Sequence, residues 1–466
     1  MTPAFSKHKF VLTTLSLALT RLSCCAAQNP NVPPIAGCFG TKGRYEDVNP
    51  RLRDDVLAVD GSHLRPPPSG GCTPVHLTAI IRHGTRYPTV KNIRRMRRLY
   101  DLVMDEASNS EDWLGEIKSH WEMWYTDNMD GKLVEKGRDD HRHLAVRLAM
   151  LFPSLLCVEN LRRHRIHFLT SSKERCLDSL EAFQQGLHKH WAVKGVSYQY
   201  DVNNELMRFF DHCRSFIEGV ENNKTALIEV EKFKRGQEME RVQRKVAKKL
   251  NIPHKRITPD LVEAAFFLCS YEFSIRSLNS PWCHLFDEDD AKVLEYKSDL
   301  KQYWKRGHGH SINSKSSCSL FHDLFARLEL AVQQSRLGQE IPEAATIQVG
   351  HAETLLPLLS LLGFYKDQTP PTSENYSKQH GRSFQTSKVV PYAANMLFVL
   401  YDCHPEPRLQ FLLNESPVQF PGMEEDAPLY QDVRQRYRHL LEGCDFKKEC
   451  EVKPRERHSH DRNSEL

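Results

Sequence analysis

Three short stretches of this 466-residue chain carry residue types suited to phosphoryl chemistry. Arg82-His83-Gly84-Thr85-Arg86-Tyr87-Pro88 sets one imidazole between two guanidiniums. Guanidinium forks bind phosphate oxygens bidentately, and a histidine nitrogen can carry a covalent intermediate. Arg175 ends Ser171-Ser172-Lys173-Glu174-Arg175, and His351-Ala352-Glu353-Thr354 adds a second imidazole and a carboxylate. The chemistry these types imply gives His83 the role of nucleophile. Arg82, Arg86, Arg175 and His351 would spread the charge of the phosphoryl oxygens, and Glu353 would protonate the leaving oxygen and then activate water. Three arginines do the work that metal ions do in kinases, so no metal or other cofactor is expected. The bland readings are a basic surface turn, a lone surface arginine, and an acid that favours a helix dipole.

Each stretch must be positioned by something, and each follows a strand-like run: 75–81, 165–170 and 344–350. Helical spacing follows two of them, in Cys176, Leu177, Leu180, Phe183 and Leu187, and in 355–362 up to Gly363. In an open α/β sheet, ligands bind beyond the carboxyl ends of strands, where helix N-termini favour anions. Three such strand ends give all six residues one place. From 214 to 314 no strand signal interrupts the helical pattern. Met239, Val242, Val246 and Leu250 form an apolar stripe there, and Thr258-Pro259 opens another helix. The expected organisation is an α-helical cap at 214–314 inserted between core segments 38–213 and 315–450. A helical insertion near 99–150 would be anchored by Trp113, Trp121 and Trp124. His141 and His143, at i and i+2, cannot share a helix face and are read as surface residues.

Charge is informative by distribution, since the net +4 says little over this length. Lys91, Arg94, Arg95, Arg97 and Arg98 follow the first stretch closely. They read either as a solvated helix face or as a local potential for a polyanion. Lys305 and Arg306 are candidate contacts for outlying phosphates, or a solvated helix end.

The leader at 1–27 has the basic start and short apolar run of a signal peptide, with an uncleaved anchor as the alternative. Of thirteen cysteines, Cys24 and Cys25 fall in that leader. The rest have no C-x-x-C spacing, which argues for disulfides over zinc, with at least one thiol left over. Cys444 with Cys450 is a plausible short loop. Sequons at Asn223, Asn375 and Asn414 fit export, the last weakened by Pro417. The final Glu465-Leu466 matches a retrieval signal whose other positions, Asn463 and Ser464, depart from it. The endoplasmic reticulum lumen, with a retrieval receptor as partner, and secretion both stay open. The tail at 451–466, with His458 and His460, is charged and expected to be disordered.

Arg-His-Gly-x-Arg-x-Pro resembles the signature of the histidine phosphatase superfamily, in its acid phosphatase and phytase branch. His351-Ala352-Glu353, where that branch mostly carries His-Asp, is similar to the multiple inositol polyphosphate phosphatases. So are 204–213, Ser280-Pro281-Trp282-Cys283, 303–307 and 390–403, which extends the likeness over about 38–450. His308 and His310 depart from the phenols expected beside Gly309. The resemblance implies an α/β fold: a three-layer, phosphoglycerate mutase-like core with an inserted, mostly α-helical cap. It also implies hydrolysis of inositol hexakisphosphate and its lower homologues, with 2,3-bisphosphoglycerate as a further substrate. A small polyphosphate is then the partner, with no nucleic acid and no membrane span. The competing readings are a broad acid phosphatase, a polyphosphate-binding protein without catalysis, and a mutase, which an export signal disfavours.

Overall fold

The computed structural model describes residues 31–61, 71–193 and 198–452. The leader, the Pro66–Pro68 stretch and the tail from 453, with its histidines and terminal signal, lie outside the described residues. A seven-stranded sheet runs in the order β3-β2-β4-β1-β5-β6-β7. Its strands are β1 (Thr73–Arg82), β2 (Ile166–Thr170), β3 (Asp201–Val202), β4 (Ala345–Gly350), β5 (Asn395–Asp402), β6 (Arg408–Leu413) and β7 (Ser416–Pro417). β1 to β4 are mutually parallel where they pair, and β5 to β7 turn antiparallel. The three expected strands are there. They are adjacent, so their carboxyl ends open on one edge.

The longer helices are α1 (Val90–Glu106), α2 (Asp112–Ser119), α3 (Glu135–Leu151), α4 (Glu174–Trp191), α5 (Gln237–Leu250), α6 (Pro259–Arg276), α7 (Glu288–Arg306), α8 (Cys318–Arg336) and α9 (Ala352–Leu361). The sheet's alternation splits its apolar residues between two faces. Leu77, Ala79, Ile81, Leu397 and Val399 pack with α3 and α4 on one side. Ile80, Met396, Phe398 and Leu400 pack with α8 and α9 on the other. This is a three-layer core, and covering both faces is why β1 reads as a near-continuous apolar run. Each fully buried large apolar side chain contributes about 1.5–3 kcal/mol to holding the layers together.

A separate apolar cluster joins α1 and α2 to α5, α6 and α7. The insertion expected near 99–150 therefore divides. Its first part packs with the helical region after 228, and α3 packs on the sheet. Trp113, Trp121 and Trp124 pack against this cluster, and the Trp121 and Trp124 Nε1–H groups donate to buried Glu272 at 3.3 Å and in a short bond of 2.5 Å.

Among the described residues four disulfides join Cys72–Cys403, Cys213–Cys450, Cys269–Cys283 and Cys318–Cys444, and Cys38, Cys157 and Cys176 are free thiols. The Cys444–Cys450 loop is thus corrected. The two sit at opposite ends of a short helix (Phe446–Cys450) and reach different partners. No helix among the described residues is long and apolar enough to cross a membrane.

Candidate active site

β1 ends at Arg82, and the next residue carries the central imidazole. The His83 backbone N–H donates to Gly350 O at 3.0 Å, which ties the turn to the end of β4. His83 Nδ1 lies 2.9 Å from Gly84 O. A carbonyl only accepts, so Nδ1 carries the proton and Nε2 keeps its lone pair. Burial pushes the His83 imidazole well below its ordinary pKa, with Arg82, Arg175 and Arg86 adding to the effect. A neutral ring with a bare Nε2 is the form a nucleophile needs.

The turn is seated on α3. A Cβ on Gly84 would stand 2.2 Å from Gly137 O, and one on Gly137 would stand 2.1 Å from Thr85 O, so two backbones touch there. The Gly84 N–H donates to Ser179 Oγ at 3.1 Å, and Thr85 Oγ1 donates to Asp140 Oδ2 at 2.8 Å. Lys136 pairs with Asp140 and Glu46. His141, read from sequence as a surface residue, is fully buried and its Nε2–H donates to Arg82 O at 3.0 Å. The i and i+2 argument holds for sharing a face. It misplaced His141 because that face of α3 is the one turned to β1.

Arg82 is anchored by Thr41 O at 2.8 Å and Val390 O at 2.6 Å, with its guanidinium 4.5 Å over the Tyr392 ring. Burial pushes Arg82 down to about 10, which leaves it charged near neutrality. The Nε atoms of Arg82, Arg86 and Arg175 are buried without a partner. Arg175 Nη2 lies 3.3 Å from His351 Nδ1, and the His351 and His83 rings sit edge to face, 5.7 Å between centroids. His351 Nε2 meets Ser171 Oγ at 2.9 Å and Arg208 Nη1 at 3.2 Å. Burial, with the nearby arginines, lowers the His351 pKa as well. Glu353 opens α9. Burial would raise its carboxyl, but Arg306, then His351 and Arg82, hold it well below the usual carboxylate range. Arg82, His83, Arg175 and His351 are thus brought together in this geometry, with Arg86 and Glu353 within electrostatic reach.

Two candidates are placed differently from the rest. Lys305 and Arg306 both pair with Glu221, at 2.7 and 3.1 Å. Lys305 also lines a cleft of about 930 Å³ with Lys91, Arg94, Arg95, Arg97 and Arg98, so the basic run of α1 faces this cleft. Lys297, Lys301 and Lys234 line it too, against the carboxylates of Asp101, Glu231, Asp260 and Glu263. His308 and His310 donate to backbone oxygens of Phe364 and Ala226, both at 2.9 Å.

Asn414 is corrected as a sequon. It is buried, and its Nδ2 donates to Lys388 O at 3.0 Å and Val389 O at 3.3 Å, so the folded chain has no space for a glycan there. Asn375 donates through Nδ2 to Pro370 O at 2.9 Å, whereas Asn223 uses only its Oδ1, toward Thr225.

Sequence reasoning missed Arg208 and Lys42. Arg208 follows the two-residue β3 as Arg175 follows β2, a repeated strand–turn–arginine signal that so short a strand conceals. Lys42 lies in an irregular segment with no periodicity to flag it. Burial pushes its ammonium down to about 7, opposed by Glu263 and assisted by Lys301, Arg86 and Arg82. Among the described residues, no group of three or more His, Cys, Asp or Glu side chains converges as a ligand set for a metal.

The description "histidine phosphatase superfamily (branch 2)" matches residues 75–414. The chain is 47% identical over 459 residues to the human protein called multiple inositol polyphosphate phosphatase 1, covering 93% of each. It is 21% identical to phytase A of Emericella nidulans over 84% of this chain and 85% of that one. In fold it is similar to the Bifidobacterium longum multiple inositol polyphosphate phosphatase solved with inositol hexasulfate. The TM-score is 0.68 at 15% identity, covering 86% of this chain and 97% of that one. The D. castellii phytase is likewise similar, with a TM-score of 0.71 at 16% identity, covering 89% and 87%.

Proposed function

The chain belongs to the histidine phosphatase superfamily, branch 2, and from that premise we propose the reaction its site carries out. The protein is a phosphomonoester hydrolase that removes phosphates from inositol polyphosphates. The observation that carries this is the 47% identity, over 93% of both chains, to a protein named for that activity. The site geometry supports the mechanism. His83 Nε2 attacks phosphorus, the P–O bond to the inositol carbon's oxygen breaks, and the leaving oxygen takes a proton from Glu353. Water then attacks the phosphohistidine, giving its proton to Glu353, the P–N bond breaks, and inorganic phosphate leaves. Arg82, Arg86, Arg175 and His351 hold the phosphoryl oxygens, and Arg208 supports His351.

A depressed Glu353 pKa suits the second step more than the first. Substrate resolves this, because phosphate oxygens placed against Arg306 and Arg82 cancel the cations that keep Glu353 ionised. Arg82, Arg86 and Arg175 near the site keep their charge, so positive charge for the transition state comes from the chain itself. The cleft lined by α1 and α7 gives a polyanion a favourable approach. We infer 2,3-bisphosphoglycerate as a further substrate. The four disulfides support an oxidising compartment, and we place the protein in the endoplasmic reticulum lumen or outside the cell.

The test is phosphate release from inositol hexakisphosphate, with chelator present, by wild type and His83→Ala. Chelator-resistant activity in wild type, reduced at least about 10³-fold in the variant, is expected. Wild type that cleaves only an aryl phosphate would keep the chemistry and remove the substrate assignment.

A further inference from the structure

Lys305 and Arg306 already hold an anion. Glu221 takes both, 2.7 Å from Lys305 Nζ and 3.1 Å from Arg306 Nη2, an ammonium and a guanidinium set as they would be around a phosphate oxygen. The partners differ in freedom. Arg306 is buried, its guanidinium carbon lies 5.0 Å over Phe210 and 4.8 Å over Phe216, and its Nη1 is buried with no partner. It is fixed and can still donate. Glu221 closes a five-residue π-turn, Ile217–Glu221, and its side chain is 38% exposed. It is the member able to move.

The location matters as much. Lys305 lines the basic cleft, while Arg306 is the cation with most influence on the Glu353 carboxyl. Arg306 shares the Phe210 ring with Arg208, which lies 5.1 Å over it and reaches His351 Nε2 at 3.2 Å, so the Glu221 pair adjoins the site. Glu221 therefore stands where the candidate active site meets the cleft. A ring that carries several phosphates and offers one to His83 directs another toward this junction. A substrate with a single phosphate has nothing to send there.

We propose that Glu221 is a specificity-determining latch: its carboxylate occupies Lys305 and Arg306 as an internal stand-in for a second substrate phosphate, and yields to one. The latch rests on the reading of the protein as an inositol polyphosphate hydrolase. A phosphate dianion carries more charge than a carboxylate and displaces it from the fixed Arg306, whereas a monophosphate leaves the ion pairs closed. Glu221 thereby sets how many phosphates a substrate must carry to bind well.

The experiment compares kcat/KM for inositol hexakisphosphate with that for an aryl phosphate in wild type, Glu221→Gln and Lys305→Met. In Glu221→Gln the ratio of the two is expected to rise about tenfold, through a lower KM for the hexakisphosphate, and the rise should shrink with added salt. In Lys305→Met the ratio should fall. A ratio that stays put or drops in Glu221→Gln overturns the latch while hexakisphosphate hydrolysis by wild type stands. Wild type that turns over only the aryl phosphate overturns the substrate reading and the latch with it.

Discussion

At the scale of single residues, the site depends on groups that never touch substrate. His141 donates to the carbonyl of Arg82 from a fully buried position, and burial pushes its pKa down to about 4 from the ordinary 6.5. Between those values the unfolded chain binds a proton that the folded chain refuses, so folding stability rises with pH through that window. Acidification from pH 7 to 4 should therefore cost wild type about 3 kcal/mol through this residue alone. His141→Gln lacks the term. Its deficit relative to wild type, measured by urea unfolding at a series of pH values, should narrow by that amount as the pH falls. A gap independent of pH would show that His141 titrates normally. His83 and His351 act in the same direction and cancel in the comparison.

At the scale of elements, the decisive contact is that of the β1 turn with α3. Gly84 and Gly137 meet backbone to backbone, and neither side can yield as a flexible side chain would. Gly137→Ala should push the turn off by a fraction of an ångström or more and lower kcat/KM about 10²-fold, with helical content unchanged by circular dichroism. Gly115→Ala, where nothing lies within 4 Å of the added carbon, should leave kinetics as they are. This contact also marks what could be read from sequence. The strands ending at Arg82, Thr170 and Gly350 were legible because buried parallel strands have continuous apolar runs that stop at a turn. The fold followed from them. β3 and β7 were not legible, each being two residues long, and Arg208 went unseen with β3. β6 carries Arg408 and Gln410 among its apolar residues and follows a loop rather than a chemical motif. Glu221 was hidden for a different reason: an ion pair 84 residues apart in sequence leaves no local pattern.

At the scale of the whole molecule, one covalent tie lies far from the chemistry. Cys72–Cys403 fastens the start of β1 to the end of β5, beside the Thr73 and Asp402 register pair and at the opposite end of the sheet from His83. Closing a loop of 331 residues removes much disorder from the unfolded chain. Cys72→Ser with Cys403→Ser should lower stability by about 3–5 kcal/mol, read as a lower midpoint in denaturant, with turnover at 25 °C little changed. Loss of activity at full stability would instead tie the bond to the site. The same topology orders events during synthesis. β1 is among the first strands to be made, yet both its neighbours, β4 and β5, come from the last third of the chain. The catalytic turn at its end therefore has no frame to rest in until the ribosome has finished most of its work. A product that stops before β5 keeps every residue of the six but has only one of the two neighbours that hold β1 in the sheet.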